Sequence, residues 1–292
     1  MNVVELKNVS KTFKKNNAVN NVSFSIEPGK IVSILGPNGA GKTTTISMML
    51  GLLDTSGGTV KLFGQDLKEI KVRERIGAMP QELSVLDGLK VGEVLDLFCS
   101  YYPNPLHKND LIKLVGLENE TKKRADKLSG GQKRRLSFAL AVAGDPDLLF
   151  LDEPTVGMDI TSRRKFWETI HSFSLKGKTI VFTTHYLQEA DDMADRIILF
   201  NNGEIVADGT PAEVKSVLTS QSVSFRSADE QISGYLITLP QVKSVYREGE
   251  RIFVETDDTD FILETIFTEG FKVNDIQIDQ GRLDKAFEQL TI

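Results

Sequence analysis

The run Gly36-Pro37-Asn38-Gly39-Ala40-Gly41-Lys42-Thr43-Thr44 follows an apolar stretch at 31–35 and precedes a helix-like run at 45–53. A loop of this composition can curl its backbone N–H groups around the β- and γ-phosphates of a nucleotide, where any Cβ would intrude. The helix that follows adds the partial positive charge of its N-terminus. Lys42 then supplies a point charge for the β/γ oxygens, and the Thr43 hydroxyl a ligand for Mg²⁺. A second pair of residues, Asp152-Glu153, ends the apolar run 148–151. It sets two acids at the carboxyl edge of a sheet beside the phosphate loop, Asp152 for the Mg²⁺ shell and Glu153 to polarise a water that attacks the γ-phosphate.

Such groups need a rigid frame, and the chain around them reads as one. The runs 31–35, 148–151 and 179–183 are short and apolar and are separated by helix-length segments. This is the pattern of buried parallel strands in an α/β domain with helices on both faces of the sheet. Ahead of them, 3–6 and 22–26 alternate as half-exposed antiparallel strands, with Pro28-Gly29 as a turn. The pair 196–200 and 204–208, joined by Asn201-Asn202-Gly203, reads as a hairpin.

A short helix from Pro211 leads to an expected linker at Thr219-Ser220-Gln221-Ser222. Beyond it the character changes, with 14 acidic against 7 basic residues in 221–292, while the whole chain of 292 residues carries a net charge of −6. The expected order there is strand 223–226, short helix, strand 244–247, a turn at Glu248-Gly249-Glu250, strand 251–255, helix 260–269, strand 272–278 and helix 283–290. That is a small βαββαβ-like accessory domain. The domain boundary is accordingly set at 1–218 and 219–292.

Composition narrows the function classes. The mild acidity offers no basic stripe for a phosphate backbone, which argues against nucleic acid as the main partner. No apolar run approaches the ~18 to 20 residues that span a bilayer, and the N-terminus lacks a basic start followed by an apolar core. A membrane role would therefore come through a separate subunit. Cys99, the single cysteine, lies in an apolar stretch and reads as a buried thiol in a reducing compartment.

Leu128-Ser129-Gly130-Gly131-Gln132, 20 residues before Asp152 counted from Gln132, resembles the signature motif peculiar to ATP-binding-cassette (ABC) ATPases. Ser129 with the Gly130 and Gly131 amides would open a helix from Gln132 and make a further anion-binding N-terminus. The resemblance implies a phosphate-loop cassette over 1–218, with a mixed-sheet core, an antiparallel β subdomain and a helical subdomain, followed by a small α+β domain. It implies ATP and Mg²⁺ as cofactors and a head-to-tail dimer with a second ATPase subunit, in which Ser129, Gly130, Gly131 and Gln132 of one copy cover the ATP held by the other.

Further positions match that family one by one. His185 resembles the switch histidine that senses the γ-phosphate. Gln81 resembles the glutamine that reaches Mg²⁺ and the attacking water and heads a segment, 82–102, that contacts membrane partners. Asp159 resembles the aspartate coupling the two sites, and Phe13 the aromatic that stacks on adenine. Phe13 stands where Tyr is commoner, and Val156-Gly157-Met158-Asp159 departs from Ser-Gly-Leu-Asp.

The ending Gly281-Arg282-Leu283-Asp284-Lys285-Ala286-Phe287-Glu288-Gln289-Leu290-Thr291 is similar to that of bacterial ABC ATPases of the drug- and antibiotic-export type. Leu283, Phe287 and Leu290 would equally line one face of an ordinary closing helix. The implied machine is an exporter whose integral-membrane permease is separately encoded, with this subunit at the cytoplasmic face of the membrane. The cassette itself is blind to direction, so import stays open, and only the tail argues for export. A soluble ABC ATPase acting on ribosomes or DNA fits less well, since there is one motif set and no sustained heptad repeat. A non-hydrolysing regulatory module is disfavoured by Glu153.

Overall fold

The computed structural model describes residues 2–14, 16–81, 88–218, 221–229 and 231–279. The expected closing helix 283–290, the ending 281–291, residues 82–87 after Gln81 and Thr219-Ser220 of the expected linker lie outside the described residues. The chain divides into two compact units, Met1–Thr210 and Pro211–Ile292.

The first unit opens with two long strands, β1 (Val4–Phe13) and β2 (Asn16–Ile26), then β3 (Ile31–Leu35), α1 (Lys42–Met49), β4 (Gly57–Leu62), α2 (Ile70–Arg73) and β5 (Ile76–Met79). Helices α3 (Val91–Cys99), α4 (Lys108–Val115) and α5 (Gly130–Val142) follow. The chain then runs through β6 (Leu148–Asp152), α6 (Ile160–Leu175), β7 (Thr179–Thr183), α7 (Leu187–Met193), β8 (Arg196–Asn201) and β9 (Glu204–Gly209).

Its main sheet has the order β5-β6-β7-β3-β8-β9 and is parallel except for β9. Every residue of β3 and β7 is buried, as continuous apolar strands covered on both faces must be. The β8–β9 hairpin turns through Asn202 and Gly203, both at positive φ, the combination that matches the right-handed strand twist. The antiparallel pair expected at the start is present with Val4 opposite Ile26. A third strand, β4, not anticipated from the sequence, completes the order β2-β1-β4. The mixed α/β cassette architecture expected from the resemblance is thus the one observed.

Two local readings are corrected. Cys99 is half-buried rather than fully buried, with its sulfur 3.8 Å from the Leu106 carbonyl, and burial pushes the thiol up from its ordinary range. Gln221 and Ser222 belong to a strand instead of a linker, because their backbones pair with Thr256 and Glu255.

The second unit contains α8 (Pro211–Leu218), β10 (Gln221–Arg226), α9 (Ile232–Leu236), β11 (Val242–Glu248), β12 (Arg251–Thr256), α10 (Thr259–Thr268) and β13 (Asn274–Asp279). The strands form an antiparallel sheet in the order β11-β12-β10-β13. Val223, Phe225, Ile252 and Val254 from the sheet meet Ile232, Leu236, Ile262 and Ile266 from α9 and α10 in one fully buried cluster. No described helix of the chain is long and apolar enough to cross a membrane.

Candidate active site

Three neighbouring parallel strands, β6, β7 and β3, end at the same edge of the sheet, so the loops that follow them converge. Residues 36–41 leave β3 and wrap to the start of α1. Two glycines there are steric requirements. Gly36 sits at φ 148°, where a Cβ would come within 2.3 Å of the Phe200 carbonyl oxygen, and Gly41 at φ 100°, where it would meet that of Ala18 at 2.4 Å.

The loop backs a cleft of about 180 Å³ lined by Asn38, Gly39, Ala40, Gly41, Lys42, Thr43, Thr44, Gln81, Asp152, Glu153 and Thr183. Lys42 Nζ donates to the carbonyls of Gly36 (2.7 Å) and Pro37 (3.0 Å). Burial holds its pKa below the ordinary lysine value, against the opposing pull of Glu153 and Asp152.

Asp152 accepts a hydrogen bond from the Thr183 hydroxyl directly across the β6–β7 register. Glu153, one residue on, breaks the strand with φ 46°, a left-handed conformation that costs a non-glycine residue about 1–3 kcal/mol and clusters at functional sites. The conformation is held by neighbours. The Glu153 N–H donates to Thr183 Oγ1 (3.0 Å), and its carbonyl accepts from Arg134 Nη2 (2.9 Å). The carboxylate is thereby swung into the cleft, where Oε2 accepts from Gln81 Nε2 (3.0 Å) and Oε1 lies 3.4 Å from His185 Nδ1. A carboxylate so flanked, facing a glycine-rich anion cradle, can orient and polarise a water aimed at a terminal phosphate.

Gln81, Asp152, Glu153, His185 and the phosphate loop are therefore brought together within one chain, while other expected site residues are placed elsewhere. Phe13 stands at the end of β1, 46% exposed, with Lys11 Nζ 5.2 Å from its ring centre. Ser129 caps α5 by accepting from the Gln132 N–H (3.3 Å), and the Gln132 side chain returns the contact to the Ser129 N–H (3.0 Å). Asp159 caps α6 by accepting from Ser162 N (2.9 Å) and Oγ (2.7 Å). None of Phe13, Ser129, Gly130, Gly131, Gln132 or Asp159 lines the cleft of its own chain.

Comparison with known proteins decides the family. The ABC transporter family model matches residues 19–156. The chain is 39% identical to the Nod factor export ATP-binding protein I of Burkholderia lata, over 71% of either protein. It is 38% identical to the daunorubicin/doxorubicin resistance ATP-binding protein of Streptomyces peucetius, over 99% of this chain and 92% of that one. This chain belongs to the ABC transporter family. It is an ATP-binding, ATP-hydrolysing subunit of that family. Among solved structures, the ABC ATPase resembles an ABC-transporter ATP-binding subunit (TM-score 0.68, 26% identity, 73% of this chain and 92% of that one). It also resembles a dimeric ATP-binding cassette in a post-hydrolysis state with ADP and phosphate bound (TM-score 0.66, 28% identity, 71% and 98%).

Two site-supporting residues of this ABC ATPase escape a reading of the sequence. Arg134, almost fully buried, joins the Glu153 carbonyl to that of Pro80 (2.9 Å each), yet it stands in the run Lys133-Arg134-Arg135 with nothing to mark it out. Arg135 next to it serves a different purpose, donating to the Val115 and Gly116 carbonyls at the end of α4. Thr183, which ties Asp152 to the Glu153 backbone, reads in sequence as one more β-branched strand residue.

Proposed function

We propose that this subunit drives an exporter by ATP-dependent closure and hydrolysis-dependent reopening of a head-to-tail dimer, seated on a separately encoded permease at the cytoplasmic face of a membrane. The observation that carries the catalytic part is the Glu153 carboxylate, held between Gln81 and His185 at the mouth of the phosphate cleft. In this reading Glu153 orients and activates the water, His185 senses the γ-phosphate, and Lys42 with the amides of residues 36–44 holds the β- and γ-phosphates. Phe13 supplies the adenine platform. Ser129, Gly130, Gly131 and Gln132 lie outside the cleft of their own chain, as groups meant for a partner's nucleotide would, and Asp159 links the two sites.

The cleft also suits Mg²⁺. Thr43, Gln81 and Asp152, which line it, carry hard oxygen donors. That is the economy expected of an ion held by a few protein oxygens together with substrate phosphates. Bound there, the ion would neutralise charge on the phosphate oxygens.

Export is supported by the relative matched along nearly the whole chain, a drug-resistance ATP-binding protein, and by the Nod factor export protein matched over 71% of the chain. Affinity isolation of the tagged chain from detergent-solubilised native membranes should recover a polytopic membrane protein at near-stoichiometric level. Recovery of ribosomal or DNA-associated proteins from the cytosol instead would overturn the transporter assignment. For the catalytic assignment, Glu153→Gln should lower ATP turnover by about 10²- to 10⁴-fold while ATP still binds. Undiminished turnover would remove Glu153 from its role.

A further inference from the structure

Four residues after His185 stands a carboxylate that does not line the phosphate cleft. Glu189, in the first turn of α7, is 6% exposed, a costly position for a charge unless its oxygens are fully engaged. They are engaged on both sides. Oε1 accepts from the Thr155 hydroxyl at 2.6 Å, and Oε2 from the Thr184 hydroxyl at 2.8 Å. Arg163 Nε, a buried donor without a hydrogen bond of its own, faces Oε1 at 3.5 Å.

Each of these partners sits beside a residue of the proposed reaction. Thr155 is two residues after Glu153, and Thr184 is immediately before His185. Thr184 Oγ1 also accepts the Tyr186 N–H at 3.0 Å, so His185 is pinned on both flanks. Arg163 lies in the first turn of α6, the helix capped by Asp159. Its guanidinium covers the Tyr186 ring at 4.4 Å, and that ring in turn lies 4.2 Å from the His185 imidazole.

We propose that Glu189 is a positioning residue for ATP hydrolysis: one buried carboxylate clamps the segments carrying Glu153, His185 and Asp159 in a common frame and so sets the 3.4 Å approach of His185 to Glu153. A carboxylate is suited to this because both its oxygens accept, whereas an amide of equal size accepts at one oxygen only. Glu189 acts through His185 and touches neither nucleotide nor water. The proposal rests on the catalytic reading of His185 and Glu153.

The test uses the full-length protein in single-turnover ATP hydrolysis, so that slow residual rates are resolved, together with steady-state KM, thermal melting and displacement of a fluorescent ATP analogue. Glu189→Gln should lower the hydrolysis rate roughly 10- to 100-fold, the scale of a displaced catalytic group, with KM and nucleotide affinity within about 2-fold. Added to His185→Ala, it should lower the rate by less than about 2-fold more, because the pair acts as a unit. Thr184→Val, which removes the hydroxyl at constant volume, should reproduce the loss, and Thr184→Ser should restore it.

Wild-type turnover in Glu189→Gln would overturn the proposal. So would a full multiplicative loss in the His185→Ala background, or a parallel collapse of affinity and melting temperature. His185→Ala turning over like wild type would sink the catalytic reading and the clamp together. An impaired His185→Ala with a multiplicative Glu189→Gln sinks the clamp alone.

Discussion

In the main sheet, β3 and β7 bury every side chain and run parallel, whereas β12 in the second unit alternates buried Ile252, Val254 and Thr256 with partly exposed neighbours and pairs antiparallel on both sides. Both sheets are well packed, with Phe150 at 1% and Phe225 at 0% exposure. The difference lies in where their strand ends go. Parallel strands deliver all their carboxyl ends to one edge, so the loops after β3, β6 and β7 must meet, and Lys42, Asp152, Glu153 and His185 meet with them. Antiparallel strands send successive ends to opposite edges. In the second unit the polar groups are accordingly spent on pairing, as where Arg251 donates to the Asp275 carboxylate at 2.7 Å and to its carbonyl at 2.6 Å. Direction of pairing, more than apolar content, is what gathers the candidate catalytic groups at one edge of the main sheet.

The sharpest test removes the same residue type from each sheet. Phe150→Ala and Phe225→Ala should each cost about 3–5 kcal/mol by denaturant titration of the affected unit. Only Phe150→Ala, two residues from Asp152, should also depress ATP turnover under conditions where the cassette stays folded. Equal loss of turnover in both would break the comparison.

Arg134→Met comes next. It removes the charged donor shared by the Pro80 and Glu153 carbonyls, at about 1–3 kcal/mol of stability. Because one of them belongs to Glu153, turnover should fall by about tenfold or more while ATP affinity holds. Arg251→Met in the other sheet should destabilise without a kinetic effect.

Lys42 offers a titration. Burial depresses its pKa below 10.5, so just below that pH the unfolded chain binds more protons than the folded one, and this group's contribution to stability rises with pH through that window. Phosphate oxygens favour the charged ammonium, so ATP binding should take up protons there. Calorimetric titration in buffers of different ionisation enthalpy reads the uptake, and Lys42→Met should abolish it.

The smallest effect concerns two helix caps. Asp159 is held below the usual carboxylate range by the Ser162 N–H and hydroxyl, so its stabilisation is present above that range and lost as pH falls through the depressed value. Asp258, capping α10 through the Phe261 N–H at 2.9 Å, is the counterpart in the second unit. Replacing either with Ala should lower stability slightly, as thermal melts would show, but only Asp159→Ala should also slow hydrolysis.

Local chemistry made the phosphate loop, the Asp152-Glu153 pair, the Ser129 cap and the Asn202-Gly203 hairpin legible in the sequence, because each depends on neighbouring residues alone. Steric demand places glycine at 36 and 41, and continuous apolar runs mark β3, β6 and β7 as buried. What only the tertiary structure decided is which distant groups serve those sites. Arg134 is separated from Arg135 by nothing but which way each points from α5. Thr183, Thr155 and Thr184 are ordinary β-branched residues until Asp152 and Glu189 arrive opposite them. Glu189 is one of three acids in α7, and only its 6% exposure sets it apart. Hydrogen bonds across 31 or 34 positions of chain leave no period or spacing to read. They exist because the parallel sheet brings the ends of β6 and β7 side by side.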